Sequence, residues 1–176
     1  KPGTLMARLN VEGNRMAGEL CKALNVPFNR VGSLVLAFSD AEMLTVWELY
    51  DRGVANGVPG LEVLMADQVR KMEPEVSDQV VGALYAPSAG IISPWDYALA
   101  FAETAVVNGA KLCLNTRVTG IEKRDGGYHI KTNRGEYDAQ YIVNAAGVES
   151  GLVHEMVAEK TFTIMPNRGE YYLMDK

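Results

Sequence analysis

A chain of 176 residues with 48% hydrophobic and 22% charged residues can bury a sizeable core, so it reads as one packed domain or two small lobes and not as a disordered segment. Its formal net charge of -5 argues against nucleic acid or an anionic membrane as the main partner, since both select basic surfaces, and leaves a small molecule as the better guess. The two cysteines, Cys21 and Cys113, belong to no Cys-x-x-Cys pair, which gives a zinc or disulfide framework no support and fits the reduced thiols of a cytoplasmic protein; no apolar run approaches the roughly 18 residues of a membrane helix.

From Thr4 to Leu24, the spacing of Leu5, Leu9, Met16, Leu20 and Leu24 predicts an amphipathic helix, weakened by Gly13 and Gly18. After Pro27, "RVGSLVLAF" is a short apolar run of strand length. Ser39 and Glu42 form a capping box for a helix striped by Met43, Val46, Trp47, Tyr50 and Val54, which Asn56 and Gly57 stop. "LEVLM" predicts a strand, "ADQVRKMEP" a helical turn or two ended by Pro74, and "QVVGALYAP" a third strand broken by Gly82. Ser93 as N-cap, Pro94 at the first helical position and Asp96 at the positive end of the dipole open a further helix. Its narrow face of Ala98, Phe101, Ala102 and Ala105 suits close packing on a sheet, and Gly109 closes it.

From Lys111 the pattern turns to β. A strand at "KLCLN" leads into a three-stranded meander with turns at Asp125-Gly126-Gly127 and Asn133-Arg134-Gly135, then into the apolar strand "YIVNA". A short helix over residues 149–158 uses Val153, Met156 and Val157, and "KTFTIMPNRGEYYLMD" reads as a closing hairpin around Pro166 to Gly169. The fold class is therefore α+β, with no uniform βαβ alternation.

Few residues carry chemistry by themselves. Neither histidine, His129 in the meander or His154 on the short helix, sits in a recognisable acid-base arrangement, so each reads as a surface or packing residue. Absence of a Gly-x-Ser-x-Gly elbow, a P-loop and His-Glu-x-x-His removes the commonest hydrolase and phosphoryl-transfer readings and points to cofactor chemistry if there is catalysis. Ala145, Ala146 and Gly147 would let a ligand approach the backbone where a strand ends; read locally, the same residues also suit a tight turn that binds nothing.

The order "GIISPWDYALAFAETAVVNGAKLCLNTRVTGIEKRDGGYHIKTNRGEYDAQYIVNAAG", together with "KPGTLMARLNVEGN" at the start and "MPNRGEYYLMDK" at the end, resembles the flavoproteins of the D-amino-acid oxidase superfamily. The resemblance is to the branch of FAD-dependent glycerol-3-phosphate dehydrogenases and L-2-hydroxyglutarate oxidases, and it extends over nearly the whole chain. It implies part of an FAD/NAD(P)-binding-type domain, residues 1–26 and 88–159, interleaved with an antiparallel substrate-binding sheet, residues 27–87 and 160–176. It also implies an internal fragment, because the family's Gly-x-Gly-x-x-Gly turn, which holds the FAD pyrophosphate at a helix N-terminus, is not in the sequence. The fragment alone is accordingly expected to be inactive and to bind FAD weakly or not at all.

Carried over residue by residue, Val118 in "NTRVTGI" matches the position whose backbone meets the adenine end of FAD, and Ala145, Ala146 and Gly147 match the loop that approaches the dinucleotide. Arg168 is an anion-binding candidate, because a guanidinium forks onto a carboxylate or phosphate. Tyr171 and Tyr172 would point to opposite faces of a strand, so at most one of them, taken as Tyr171, would face substrate while the other packs. The resemblance implies hydride transfer from a 2-hydroxy acid or glycerol 3-phosphate to flavin, with an unidentified electron acceptor and no metal. Two alternatives stay open: an amino-acid or sarcosine-type amine oxidase of the same superfamily, and a non-catalytic binding domain.

Overall fold

The structure is a computed structural model that describes residues 1–173, and the chain falls into two compact units, Lys1–Lys111 and Leu112–Lys176. In the first unit, α1 (Leu5–Ala23) starts where Thr4 Oγ1 accepts a hydrogen bond from the Ala7 N–H at 3.2 Å. Its end at Leu24 is followed by Asn25 in the left-handed region, at φ 54°. Cys21 is its one fully buried residue.

Strands β1 (Phe28–Asn29) and β2 (Leu34–Ala37) follow, then α2 (Asp40–Ala55). The expected capping box is present one residue wide of the usual pattern: Ser39 Oγ accepts from the Glu42 N–H at 3.2 Å, and Glu42 Oε2 accepts from the Phe38 N–H at 2.7 Å. Strand β3 (Glu62–Met65), helix α3 (Ala66–Met72) and strand β4 (Gly82–Tyr85) complete an antiparallel sheet in the order β2-β4-β3.

Alternation along that sheet splits the core in two. Leu84 and Ala37 point to α2 and pack with Val46, while Ala83 and Leu64 point to α3 and pack with Val69 and Val80. The sheet is thus sandwiched between one long and one short helix. Val46 and Val69 are 2% and 0% exposed, and burying each is worth about 1.5–3 kcal/mol. Gly82 does not break the third strand, contrary to expectation: it begins β4, paired with Ala37 and Met65. A side chain is what cannot fit there, because a Cβ would lie 2.7 Å from both the Leu64 carbonyl oxygen and Met43 Sδ.

A short ladder unseen in the sequence pairs β5 (Ile91–Ile92) with β1. Two-residue strands carry no periodicity to read. Helix α4 (Pro94–Val107) starts as expected, with Ser93 Oγ accepting from the Asp96 N–H at 3.3 Å and Pro94 in the first turn. Its small-residue face packs on no sheet among the described residues: Ala98, Phe101 and Ala105 are exposed and the helix buries nothing. Spacing defines an apolar face, but only a facing layer covers it.

In the second unit, β6 (Val118–Arg124), β7 (Gly127–Thr132) and β8 (Gly135–Ala139) form the expected meander. Its flanking elements differ from expectation. Residues 111–117 make no strand, and Asn115 turns the chain at φ 53°. Residues 141–145 are also unpaired, with Tyr141 86% and Val143 89% exposed. A 3-10 turn (Gly147–Glu149) leads into α5 (Ser150–Glu155), which ends earlier than expected although Val153, Met156 and Val157 are half-buried as read. Residues 160–173 form no hairpin; Met174 and Asp175, the end of the expected hairpin, lie outside the described residues. These runs have strand-like sequences without a neighbouring edge among the described residues to receive their N–H and C=O groups, and composition alone does not make a strand. No helix among the described residues is long and apolar enough to cross a membrane.

Candidate functional site

The meander sorts its side chains by face. Glu122, His129 and Asp138 lie in one row across the three strands, with Arg124, Lys131 and Glu136 on the same side, while Ile121, Ile130 and Tyr137 take the other. Strict alternation from Gly120 would put Val118 on the charged side. The register instead slips at Thr119, so that Val118 pairs with Thr132 and Gly120 with Lys131. One extra residue in β6 is a β-bulge, and it turns the half-buried Val118 side chain to the apolar face at the strand's first position.

The charged face is tightly connected. Lys131 Nζ donates to Glu122 Oε1, and that hydrogen bond, reinforced by the opposite charge, holds the Glu122 carboxyl below its ordinary value and the Lys131 ammonium above its own. His129, 8% exposed, is the one buried polar residue among those described. Its Nδ1 lies 2.8 Å from Asp138 Oδ1 and its Nε2 3.2 Å from Glu136 Oε2. On the other face, the Tyr137 hydroxyl donates to Cys113 Sγ at 3.8 Å, which raises its pKa.

Beyond β8 the chain reaches the small-residue loop. Asn144 organises it: its Oδ1 accepts from the Ala146 N–H at 3.3 Å and its Nδ2 donates to the Ser150 carbonyl at 2.8 Å. Ala145, Ala146 and Gly147 are all exposed. Gly147 has φ 57°, a left-handed conformation that favours glycine, and a Cβ built there would meet no heavy atom within 4 Å. The loop is therefore an open backbone surface pinned by one asparagine. Asn144 escaped the sequence reading, although an Asn ahead of small residues is a recognisable turn former.

Arg168 and Tyr171 are exposed, Tyr171 at 94%, and neither lies in a regular element. No hydrogen bond or ion pair among the described residues ties Arg168 to Val118 or to the loop. His154 packs against Phe162 with ring centroids 5.2 Å apart, the packing role expected of it.

An open, glycine-turned backbone with small flanking residues fits the edge of a dinucleotide, which needs close main-chain approach and no side-chain obstruction. The described residues include no glycine-rich turn at a helix N-terminus to take a pyrophosphate, so they fit one part of such a ligand.

The comparisons with known proteins agree in kind. A family model described as "DAO: FAD dependent oxidoreductase" matches residues 1–176. A glycerol 3-phosphate dehydrogenase of Caloramator mitchellensis is 51% identical over 176 residues, covering 100% of this chain and 37% of the relative. An L-2-hydroxyglutarate dehydrogenase of Escherichia coli (strain K12) is 32% identical over 173 residues, covering 97% of this chain and 40% of the relative. Among solved structures, dithionite-reduced L-alpha-glycerophosphate oxidase from Mycoplasma pneumoniae, with FAD bound, superposes with a TM-score of 0.80 at 26% identity over 89% of this chain and 43% of that one.

Proposed function

The chain belongs to the DAO family of FAD-dependent oxidoreductases, and from that membership we propose that it is part of an enzyme that oxidises a 2-hydroxy acid or glycerol 3-phosphate, hydride passing to the flavin. The observation that carries this reading is the 51% identity to a glycerol 3-phosphate dehydrogenase, sustained across all 176 residues. The chain spans about two fifths of the length of the relatives it matches, so the activity is that of the whole protein.

FAD, when bound, supplies the electron sink, accepting hydride from the substrate C–H. The chain's own residues would hold part of it. The Val118 main chain, turned by the bulge, would meet the adenine end, and Ala145, Ala146 and Gly147 would let the dinucleotide lie against bare backbone. Arg168 would receive the substrate carboxylate or phosphate with a forked pair of N–H donors, and Tyr171 would pack beside it. Residues 1–26 and 88–159 would belong to the FAD domain, and residues 27–87 and 160–176 to the substrate-binding sheet. The electron acceptor is unidentified. Residence in the cytoplasm is part of the same reading and is supported by the two free thiols, Cys21 and Cys113.

The test is oxidation by the purified full-length protein, supplied with FAD and an artificial electron acceptor, of glycerol 3-phosphate, L-2-hydroxyglutarate, glycine and sarcosine in parallel. Turnover of a hydroxy substrate, with bleaching of the flavin absorbance when the acceptor is left out under anaerobic conditions, is the expected result. Turnover of an amine alone would assign the protein to the amine oxidases, and lack of flavin absorbance at saturating FAD would leave a binding domain.

A further inference from the structure

A cleft of about 530 Å³ opens in the first unit between α1, the turn after α2 and the segment before β5, a size within the roughly 300–1,000 Å³ of ligand pockets. Val11, Pro59 and Pro87 give it apolar walls, and Asn14, Arg30 and Ser88 bring polar groups to it. Its rim depends on Gly57 and Gly60 at φ 76° and 70°, and a Cβ on Gly60 would touch Pro87 Cγ at 3.0 Å.

Arg30 is held in place from one side. Its Nη1 donates to Asn14 Oδ1 at 3.1 Å and to the Ser88 carbonyl, its Nη2 donates to the Asn14 carbonyl at 3.0 Å, and its guanidinium lies 5.1 Å from the centroid of the Phe28 ring. Asn14 in turn donates from Nδ2 to the Ser88 carbonyl at 3.0 Å, locking helix and loop together. Those bonds use both Nη1 hydrogens and one on Nη2. The Nε–H and a second Nη2–H have no protein acceptor among the described residues. Nor is there a carboxylate within ion-pair distance of Arg30 among them. The second arginine at the cleft, Arg15, differs, since Glu12 already receives its Nε and Nη2.

A preorganised cation with two unclaimed N–H donors, beside apolar walls, selects a planar or tetrahedral oxyanion on a short carbon body. We propose that this cleft binds a small organic oxyanion, a carboxylate or a phosphate monoester, received by the Arg30 guanidinium. The inference does not rest on the flavin reading.

It is tested on the full-length protein by titrating sodium phosphate and, separately, sodium succinate while following the thermal midpoint, with sodium chloride at matched ionic strength as reference. Arg30→Gln removes the fork, and Val11→Trp fills the cleft while leaving Arg30 intact. Both are compared with the unsubstituted protein, cooperative melting serving as the control for folding. At least one of the two anions is expected to stabilise the protein beyond chloride, with apparent affinity falling about tenfold or more in both variants. Response to phosphate alone or succinate alone identifies which oxyanion the cleft takes. Equal responses to chloride, or a cooperatively melting variant that titrates like the unsubstituted protein, overturn the proposal.

Discussion

His129 and Asp138 stand directly opposite each other on β7 and β8, and the ring Nδ1 meets Asp138 Oδ1 at 2.8 Å while Glu136 closes on Nε2. Each ring nitrogen of the one buried polar side chain among the described residues therefore has a carboxylate oxygen. Replacing the ring by a hydrocarbon of similar shape removes both contacts at once and leaves the two carboxylates to water. His129→Phe is expected to destabilise the meander by about 1–3 kcal/mol, and His129→Gln, which keeps a donor, by less. Denaturant unfolding of the two variants checks the order; a phenylalanine variant as stable as the unsubstituted protein would show that the histidine contributes nothing by its hydrogen bonds.

Glu122 and Lys131 give the same face a pH dependence of defined sign. The Glu122 carboxyl titrates below its ordinary 4.5, first because Lys131 donates a hydrogen bond to it and then because the ammonium is positive. A group whose folded pKa is depressed contributes stability that is fully present above its unfolded value and is lost as pH falls through the folded one. Lys131, raised above 10.5, contributes below that value and loses its contribution as pH rises through the higher folded pKa. Amide hydrogen exchange in β6 and β7 is therefore expected to quicken, after correction for intrinsic rates, on acidification below about pH 4.5. Glu122→Gln should flatten that acid limb. Both groups are solvated, so added salt should flatten it too.

Gly82 tests the central sheet. Its Cβ would press on the Leu64 carbonyl and on Met43 Sδ, both at 2.7 Å, and the backbone oxygen cannot move aside without breaking the β3 pairing. Gly82→Ala is expected to cost about 1–3 kcal/mol and Gly82→Val more, from overpacking. A thermal melt in which Gly82→Ala matches the parent would mean that α2 can lift off the sheet at no cost.

The sequence was legible where structure is decided within a few residues. Ser39 and Ser93 cap their helices as read, because a side-chain oxygen needs only the N–H three positions on; Thr4, where the first helix was expected to begin, caps it in the same way. The meander was legible from its two glycine turns. What depended on a distant neighbour was not. "YIVNA" has the composition of a strand but no partner edge among the described residues, and the face of α4 has no layer to cover it. Gly82 looks like a strand breaker until Met43 is seen crossing it. The Thr119 bulge leaves no mark on composition, yet it decides where Val118 points. His129 sits between carboxylates only because the register sets Asp138 opposite it and Glu136 two residues before that partner. Arg30 lacked a signal altogether, since Asn14 and Ser88, which hold it, are remote in sequence from it and from each other.

The loop of Ala145, Ala146 and Gly147 yields the most direct test of the proposed flavin contact, because it separates main-chain from side-chain roles. Gly147 at φ 57° tolerates a β-branched residue poorly, and Gly147→Val both strains the turn, by about 1–3 kcal/mol, and puts methyl groups where the backbone is now bare. Asn144→Ala leaves that surface bare but releases the Ala146 N–H and the Ser150 carbonyl that hold it in shape. Both substitutions in the full-length protein are expected to weaken FAD retention about tenfold, read as flavin absorbance after gel filtration. Val118→Leu should retain FAD, because a main-chain contact survives a change of apolar side chain on the far side of the bulge. Retention in Gly147→Val equal to that of the unsubstituted protein would remove the loop from the site. Loss in Val118→Leu alone, with Gly147→Val unaffected, would mean that the half-buried side chain in the meander matters to FAD and the open loop does not.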